Sequence, residues 1–516
     1  MSTPRFSIVI PTRERADTLP FALRTCLDQT FDDYEVVVSD NCSTPATRAV
    51  VDAIASPKVR YVRTAEPVAM SNNWEFGVAQ ARGEYVLVIG DDDGLLPHAL
   101  HELDGLVQAR APKAIRWALA LYTWPTLTVA GQANYLRVSL GRSLVERDGA
   151  EAIREVVGFR AHYADLPMMY NTAVRRDVLD RLRRETGGVF LHSNPDVYSG
   201  FAIAHAAGRY LSTSVPMTVC GLSRASNGAA CLCHRGRTPI AREYHALNAK
   251  AGLLADPAVP DLPIYPDVPV ADAFAVAKRG LFPERDVKVD RRELARACLN
   301  KVEAAEEEWP AVLEAIRRSF DDAPDLRRWF DAELASTPYR ANPPLQLRAS
   351  RLGLYDAQLH LDAAAFGVRD IAAAARLCGR VLNSGCPIQY TTDDQGDHAA
   401  AVVAAATGWD DHDRAVLALH LSASEAYALR EAGEREAGER ARAAAQAAER
   451  ERAALIDSGR ILQGVANERE AIIGRLEGHV RGLTDRLKAE RRWSLKRPVR
   501  VVKRLLTALA RTTPSH

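Results

Sequence analysis

Short β-rich segments alternate with segments of helical periodicity over residues 1–110, and this alternation limits the possible folds more than any other feature. Helical periodicity covers residues 18–29 and 44–54. Such alternation predicts βαβ units, and therefore an α/β fold with a largely parallel sheet. The predicted strands are Phe6–Ile10, Tyr34–Ser39, Val59–Arg63 and Tyr85–Ile89.

Polar clusters follow three of these strands directly. In an open α/β sheet, the loops beyond the carboxyl ends of the strands form the ligand crevice. We therefore expect the clusters to meet at one edge of the sheet. They are Pro11-Thr12-Arg13-Glu14, Asp40-Asn41 and Asp91-Asp92-Asp93.

The third cluster places three consecutive carboxylates after an apolar strand. Adjacent like charges raise the pKa of one another, so this arrangement favours a bound cation. Mg²⁺ or Mn²⁺ is suited to the role, because such ions are held by one or two carboxylates together with substrate phosphates. The alternative is an acidic turn without a metal.

The overall composition excludes several classes of protein. Hydrophobic residues make up 47% of the chain, which excludes a wholly disordered protein. The net charge of +1 gives no average field that would select nucleic acid as a partner. Eight irregularly spaced cysteines favour a reducing compartment, and the N-terminus lacks the pattern of a signal peptide. The long uncharged stretch 117–136 is predicted to form strands and loops rather than a membrane helix.

The second half of the chain changes character twice. Residues 236–420 are alanine-rich and helical in pattern, which predicts an all-α domain. Residues 421–490 have the composition of a long helix, and Leu455, Leu462, Leu476 and Leu483 share one heptad position. This pattern favours a coiled coil that makes the protein a homo-oligomer, a dimer or trimer. A single solvated helix is the alternative.

Residues 491–516 form a basic tail in which aliphatic residues and Trp493 alternate with arginine and lysine. A basic amphipathic helix of this kind can lie on an anionic membrane surface. A solvated cationic tail or a nucleic-acid contact is the alternative, and we favour the membrane because tryptophan and aliphatic residues suit a lipid interface.

Taken together, several motifs resemble those of the family 2 glycosyltransferases in order and spacing. The resemblance spans roughly residues 5–230 and implies a GT-A fold over residues 1–235. It also implies a nucleotide-diphosphate sugar donor and inversion at the anomeric carbon. The motifs are Phe6–Arg15, Val36–Asn41, Asn72-Asn73, Ala81–Tyr85 and Gly90–Asp93.

The resemblance also assigns roles to individual residues. Asp40 would accept a hydrogen bond from the imino N–H of uracil or thymine, although its position also suits a strand-end cap. Asn73 would lie on the donor side, or cap the helix that follows it. The implied nucleotide-sugar-binding residues are Pro11, Thr12, Arg13, Glu14, Asp40, Asn41, Asn73 and Asp91.

The implied metal ligands for Mn²⁺ or Mg²⁺ are Asp92, Asp93 and His234, with Asp92 the strongest and Asp93 in a supporting role. Gly90 occupies the position of the first aspartate in the family's metal motif, so the division of labour among the acids departs from the family pattern. His234 follows Cys231-Leu232-Cys233, which invites a zinc site. Because this spacing is not a usual finger pattern, a loop with incidental thiols is the preferred interpretation.

Asp196 is implied to be the catalytic base, because the family places an acid at the start of a helix about a hundred residues after the metal motif. An aspartate in a first turn is also simply a good partner for the helix dipole.

The resulting hypothesis is a metal-dependent inverting glycosyltransferase with a UDP- or dTDP-sugar donor, GDP remaining open. Its acceptor would be a cell-surface polysaccharide or glycolipid, and the enzyme would be cytoplasmic, peripheral on the inner face of the membrane. A catalytically silent scaffold that recruits other enzymes through the coiled coil is the alternative.

Overall fold

A computed structural model describes residues 3–127, 132–226, 238–262, 266–341, 352–383 and 385–424, with a few helical positions between 439 and 485. Residues 1–427 form one compact unit and residues 428–516 another. Most of the coiled coil predicted over 421–490, and all of the basic tail predicted over 491–516, lie outside the described residues. Both therefore stay predictions.

Twelve strands form one mixed sheet. In chain order they are β1 (Phe6–Thr12), β2 (Tyr34–Asp40), β3 (Val59–Arg63), β4 (Tyr85–Val88), β5 (Gly94–Leu95), β6 (Ala114–Thr123), β7 (Tyr135–Ser139), β8 (Leu144–Asp148), β9 (Thr172–Arg175), β10 (Arg209–Leu222), β11 (Gly353–Tyr355) and β12 (Gln358–Asp362).

The helices within the described residues are α1 (Leu19–Leu27), α2 (Pro45–Ile54), α3 (Met70–Ala79), α4 (Ala99–Arg110), α5 (Gly149–Val157), α6 (Arg176–Thr186), α7 (Pro195–Ala207), α8 (Pro239–Lys250), α9 (Asp267–Leu281), α10 (Arg291–Lys301), α11 (Trp309–Arg318), α12 (Pro324–Glu333), α13 (Ile371–Val381) and α14 (His398–Ala405). Residues 411–424 are also helical.

The N-terminal half of the sheet is parallel, in the order β3-β2-β1-β4. Antiparallel pairs then extend it through β9, β6, β7, β12 and β11. Strand β10 lies parallel to β6 and antiparallel to β5 and β8. The sheet is therefore parallel where the βαβ pattern predicts it and antiparallel beyond.

Both faces of the parallel part are buried, which explains why its strands are continuously apolar. Ile8 and Ile10 of β1 pack with side chains of α1, α2 and α4 on one face. Val9 packs with side chains of α3, α6 and α7 on the other face. Alternate residues of one strand thus hold two helical layers against the sheet.

The predicted strands agree closely with the observed ones. β3 has the predicted bounds, and β4 ends one residue earlier than predicted. β1 and β2 run on through polar residues to Thr12 and Asp40, because these two residues remain in register as parallel partners. The stretch 117–136 divides between β6, a connecting segment and β7, as predicted. Within the described residues, no helix has the length and apolar character needed to cross a bilayer.

The region 236–420 is only partly helical, so the expectation of an all-α domain needs correction. Helices α8 to α12 agree with it, and those from α10 to α12 pack around Trp309, Ile316 and Phe330. However, β11 and β12 form a hairpin that pairs with β7 and extends the sheet. Leu359 and Leu361 of this hairpin face α13 in a shared apolar cluster. Strands this short leave little periodicity in a sequence, which is why an alanine-rich pattern concealed them.

We predict that Gly149→Ala destabilises the fold, whereas Gly105→Ala does not. A Cβ at Gly149 would lie 2.1 Å from the carbonyl oxygen of Ala204 in α7, and backbone atoms cannot move aside cheaply. The expected loss is about 1–3 kcal/mol, as for overpacking in general. At Gly105, inside α4, nothing lies within 4 Å, so alanine should gain up to about 1 kcal/mol through helix propensity. Thermal unfolding of both variants is the measurement, and wild-type melting of Gly149→Ala would contradict the close packing.

Candidate active site

Asp91, Asp92 and Asp93 form a buried turn after β4, with 8%, 7% and 2% of their surfaces exposed. Burial raises the pKa of all three, that of Asp91 to about 7 and that of Asp93 to about 8. The negative charge of Asp92 raises the pKa of its two neighbours further. The turn therefore holds acids whose charge the fold compensates only in part.

Asp93 is held by donors from inside the fold. Its carboxylate accepts hydrogen bonds from the backbone N–H of Gly90 and of Gly221, both at 2.6 Å, and from the Tyr170 hydroxyl at 3.0 Å. A Cβ at Gly90 would lie 2.7 Å from Oδ2 of Asp93. The Asp93 carboxylate thus occupies the space beside Gly90 and supports the turn.

Asp92 is held in place by contacts with the end of β10 and with Ser223, which follows this strand. Oδ2 of Asp92 accepts from the Ser223 hydroxyl at 2.7 Å and from its backbone N–H at 3.3 Å. The carbonyl oxygen of Asp92 accepts from the Trp124 indole at 2.9 Å. A Cβ at Gly221 would lie 1.8 Å from that carbonyl oxygen, so only glycine allows this approach.

Asp91 faces the loop after β1. Nε of Arg15 lies 3.6 Å from Oδ1 of Asp91, and both side chains are largely buried. The Arg15 charge lowers the pKa of Asp91 and of Asp92, opposing the effect of burial. Hydrogen bonding by the backbone of Arg13 lowers the pKa of Asp91 as well. The ends of β1 and β4 therefore meet, as predicted.

Arg13 and Glu14, both predicted to line the nucleotide pocket, have partners of their own at this edge. Arg13 donates to the carbonyl oxygen of Asn41 at 2.6 Å and pairs with Glu243. Glu14 accepts from the backbone N–H and the hydroxyl of Thr44, both at 2.8 Å. Thr44 is the N-cap of α2, so Glu14 caps that helix. Pro11 is buried within β1.

Asp40 is fully buried at the end of β2. Its carboxylate accepts from the backbone N–H of Ser43 and from Arg63, both at 3.0 Å, and from the Tyr61 hydroxyl. The bond to Ser43 is the strand-end cap that the sequence left open as an alternative. A carboxylate has about four lone-pair sites, so these three contacts leave one of them without a donor.

Two predicted donor-side asparagines make specific contacts within the fold. Asn41 binds the backbone of Val68 twice, accepting at 2.9 Å and donating at 2.8 Å. Asn73 donates to the Ser39 carbonyl at 3.0 Å and accepts from the Ser39 hydroxyl at 2.9 Å. Asn73 does not cap a helix, because α3 already begins at Met70. Both amides fix loops around the end of β2.

Asp196 lies in the first turn of α7, whose N-cap residue is Asn194. Burial raises the pKa of Asp196, and hydrogen bonds to backbone amides and the nearby His192 oppose that rise. A carboxyl group with a raised pKa is suited to accept a proton near neutral pH. The helix start predicted for this residue is therefore confirmed, while its catalytic role stays a prediction.

Hydrogen bonds connect the start of α7 to the acidic turn. The Ser199 hydroxyl donates to the Asp196 carbonyl at 2.7 Å and accepts from the backbone N–H of Met169 at 3.1 Å. The next residue, Tyr170, donates to Asp93. The short segment 169–170 therefore links the predicted base to the predicted metal turn.

Helix α8 contacts three loops around this edge, those after β1 and β3 and the one before α7. Its contacts are the Arg13–Glu243 ion pair, a hydrogen bond of 2.8 Å from the Tyr244 hydroxyl to the Ser193 carbonyl, and a Lys250–Glu66 ion pair of 2.8 Å.

The described residues contain no group of three or more His, Cys, Asp or Glu side chains arranged to hold a metal ion. Asp91 and Asp92 fit the smaller donor set that Mg²⁺ or Mn²⁺ uses when substrate phosphates complete the coordination. His234, Cys231 and Cys233 lie outside the described residues, so the prediction for His234 stays open. Sγ of Cys220, upstream of them, lies 2.9 Å from the Tyr170 hydroxyl oxygen.

Arg15, Tyr170 and Ser223 belong to the site but were not predicted as site residues. Arg15 directly follows the predicted cluster Pro11–Glu14, and the need of three consecutive acids for a nearby cation was the signal that could have found it. Tyr170 and Ser223 lie 77 and 131 positions from their aspartate partners. No local pattern marks contacts over such distances.

Comparison with known proteins finds a family whose model matches the region that carries this edge. Residues 7–111 match the model of glycosyl transferase family 2. Over 106 residues the chain is 34% identical to the GalNAc(5)-diNAcBac-PP-undecaprenol beta-1,3-glucosyltransferase of Campylobacter jejuni, covering 19% of this chain and 33% of that protein. It is 33% identical over 100 residues to the succinoglycan biosynthesis protein ExoO of Rhizobium meliloti, covering 19% and 29%. The match thus spans about a third of these relatives.

A solved structure of S. aureus TarS with UDP-GlcNAc aligns over 63% of this chain and 91% of that one, with a TM-score of 0.35 and 13% identity. A likeness at this level supports no conclusion about function. The family match coincides with β1 to α4, which carry the acidic turn and the Asp40 loop. The predicted GT-A-like α/β domain is confirmed in this coarse form, with a mixed sheet where a largely parallel one was predicted. Residues 7–111 of this chain are therefore similar to glycosyl transferase family 2.

Proposed function

We propose that this protein is a metal-dependent inverting glycosyltransferase that uses a UDP- or dTDP-sugar. The observation that carries the proposal is the buried pair Asp91 and Asp92 at the carboxyl edge of the sheet, inside the region that matches the family. Both have a pKa raised by burial and only partly lowered by Arg15. Such carboxylates gain most from a nearby cation.

Mn²⁺ or Mg²⁺ would be held by Asp92, with Asp91 toward the ribose or the metal and His234 as a further proposed ligand. When bound, the metal would supply positive charge to the departing diphosphate. Asp93 supports this set through its three hydrogen bonds rather than through free oxygens. Ser223 fixes one oxygen of Asp92 and so orients the other.

The nucleotide would lie along the ends of β1 and β2. Asp40 would accept the imino N–H of uracil or thymine, and guanine offers a similar donor, so GDP stays open. Arg63 and Tyr61 hold the Asp40 carboxylate in place for this contact. Glu14, Asn41 and Asn73 would act by fixing the surrounding loops.

The acceptor hydroxyl would lose its proton to Asp196 as its oxygen attacks the anomeric carbon. The raised pKa of Asp196 favours this role, because a base works best when its pKa lies close to the working pH. The named relatives act in undecaprenol-linked glycan and succinoglycan synthesis, which supports a glycolipid or polysaccharide acceptor.

The homo-oligomeric coiled coil and attachment to the inner membrane face remain part of the proposal. We do not favour a silent scaffold, because such a protein has no need for buried carboxylates whose charge the fold compensates only in part.

The Asp196 proposal predicts that Asp196→Asn lowers kcat by about 10²–10⁴-fold, because an amide cannot accept the proton. Binding of UDP with Mn²⁺ should be unchanged. Release of UDP from a panel of UDP-sugars measures turnover, and a thermal shift with UDP and Mn²⁺ measures binding. Asp177→Asn is the matched control, because Asp177 also lies in a first helical turn, that of α6, in an exposed pair with Arg175. Wild-type turnover by Asp196→Asn would rule out the assignment.

We also predict that kcat falls as the pH is lowered through the raised pKa of Asp196. The protonated acid dominates below that pKa and cannot act as a base, so the rate is complete above it and lost below it. Saturating Mn²⁺ and UDP-sugar confine the profile to the bound complex. The residual rate of Asp196→Asn should lack this acidic limb. An unchanged limb in the variant would assign the titration to another group.

We predict that Asp92→Asn mainly affects metal binding, whereas Asp93→Asn mainly affects stability. Asp92→Asn is expected to abolish the Mn²⁺-dependent part of the thermal shift with UDP while leaving the melting temperature of the free protein nearly unchanged. Asp93→Asn places an amide opposite two backbone N–H donors, so it should cost about 1–3 kcal/mol of stability. Melting of the free variants and titration with Mn²⁺ in the presence of UDP separate the two. An equal loss of metal response in a stable Asp93→Asn would make Asp93 a direct ligand.

A further inference from the structure

His192 is a buried histidine four residues before Asp196, with 2% of its surface exposed. Its Nε2 lies 2.9 Å from Oδ2 of Asp272 in α9. Its Nδ1 accepts a hydrogen bond of 3.1 Å from the backbone N–H of Asn194. Because Nδ1 accepts, the ring proton is on Nε2, where it is donated to the Asp272 carboxylate.

The partners of His192 are themselves fixed. The other oxygen of Asp272, Oδ1, accepts from the backbone N–H of Asp256 at 2.7 Å. The Asp256 carboxylate in turn pairs with Arg279. The backbone carbonyl oxygen of His192 accepts from the Ser71 hydroxyl of α3. The backbone of His192 is therefore tied to α3, while its ring is oriented by Asp272 of α9 and by the backbone N–H of Asn194.

The bond from Asn194 to the ring acts where α7 begins. Asn194 is the N-cap residue, and its own side chain forms no capping hydrogen bond. Fixing its backbone N–H fixes the first turn of α7, and Asp196 lies two residues further along.

We infer that His192, oriented by Asp272, is a positioning residue that sets the geometry of Asp196 for proton transfer. The inference rests on the proposed function, because it takes Asp196 to be the base. It also gives α9 a part in catalysis, although α9 lies beyond the residues that match the family. His192 and Asp272 act through Asp196 and need not touch the substrate.

Two substitutions separate the two bonds of the ring. His192→Asn keeps an acceptor near the Nδ1 position but loses the bond to Asp272. His192→Gln keeps a donor near the Nε2 position but loses the acceptor for Asn194. Both should lower kcat for hydrolysis of a UDP-sugar by about 10- to 100-fold, as expected for a misplaced catalytic group. The KM for the UDP-sugar should not change, and UDP-glucose, UDP-galactose and UDP-GlcNAc serve as the panel of substrates.

Two substitutions of Asp272, to asparagine and to alanine, keep the test decisive if the His192 variants fold poorly. Asp272→Asn keeps one acceptor oxygen, which can serve either Nε2–H of His192 or the backbone N–H of Asp256, and should recover part of the kcat that Asp272→Ala loses. Lys278→Ala is the control on the same helix, where the ammonium group bonds the carbonyl oxygens of Pro283 and Arg285. A merely structural role would lower the melting temperature of Asp272→Ala without separating kcat from KM.

The double variant Asp196→Asn with Asp272→Ala distinguishes the inference from the proposed function. If Asp272 acts through Asp196, the double variant should have the same residual rate as Asp196→Asn. A further drop in the double variant, or wild-type kcat in folded Asp272→Ala beside an inactive Asp196→Asn, would overturn the positioning role. Wild-type kcat in Asp196→Asn would instead overturn the proposed function, and the positioning role with it.

Discussion

The hydrogen bonds from the end of β10 to the turn after β4 are the interaction on which the site depends. A buried carboxylate that lacks donors is very costly, and three in succession would not stay buried without them. Gly221 and Ser223 supply those donors from positions more than a hundred residues later in the chain. Trp124 adds a bond to the backbone of the same turn. The acidic turn is therefore a product of tertiary structure, although its residues are contiguous.

The antiparallel half of the sheet positions β10, and through it the donors to the acidic turn. β10 is placed by its long parallel pairing with β6, and β6 is backed by β7. β7 is bordered in turn by β12, whose leucines pack on α13. Residues near 360 thus contribute indirectly to the geometry of residues near 90. The region beyond the family match is part of the framework of the site.

The parallel half of the fold was predictable, because strands buried on both faces leave continuous apolar segments and turns leave polar ones. That reasoning also placed Thr12, Asp40 and Asp91 at one edge. It did not find the β11–β12 hairpin, whose strands are three and five residues long. Nor did it distinguish residues that face a ligand from residues that fix loops. Glu14 and Asn41 have the side chains of binding residues, yet their hydrogen bonds are to Thr44 and Val68, partners that only the folded chain brings together.

The contacts of helix α8 have a consequence for how the site responds to its surroundings. Arg13–Glu243 and Lys250–Glu66 involve partly or largely exposed side chains, and pairs of this kind contribute about 0–1 kcal/mol each. Dissolved ions screen them over about 8 Å at physiological ionic strength. The ion pairs that hold α8 to the loops after β1 and β3 therefore weaken as the salt concentration rises. The acidic turn is buried, so dissolved ions screen its charges much less. Ionic strength thus acts on the ion pairs of α8 and leaves the buried acidic turn largely unaffected.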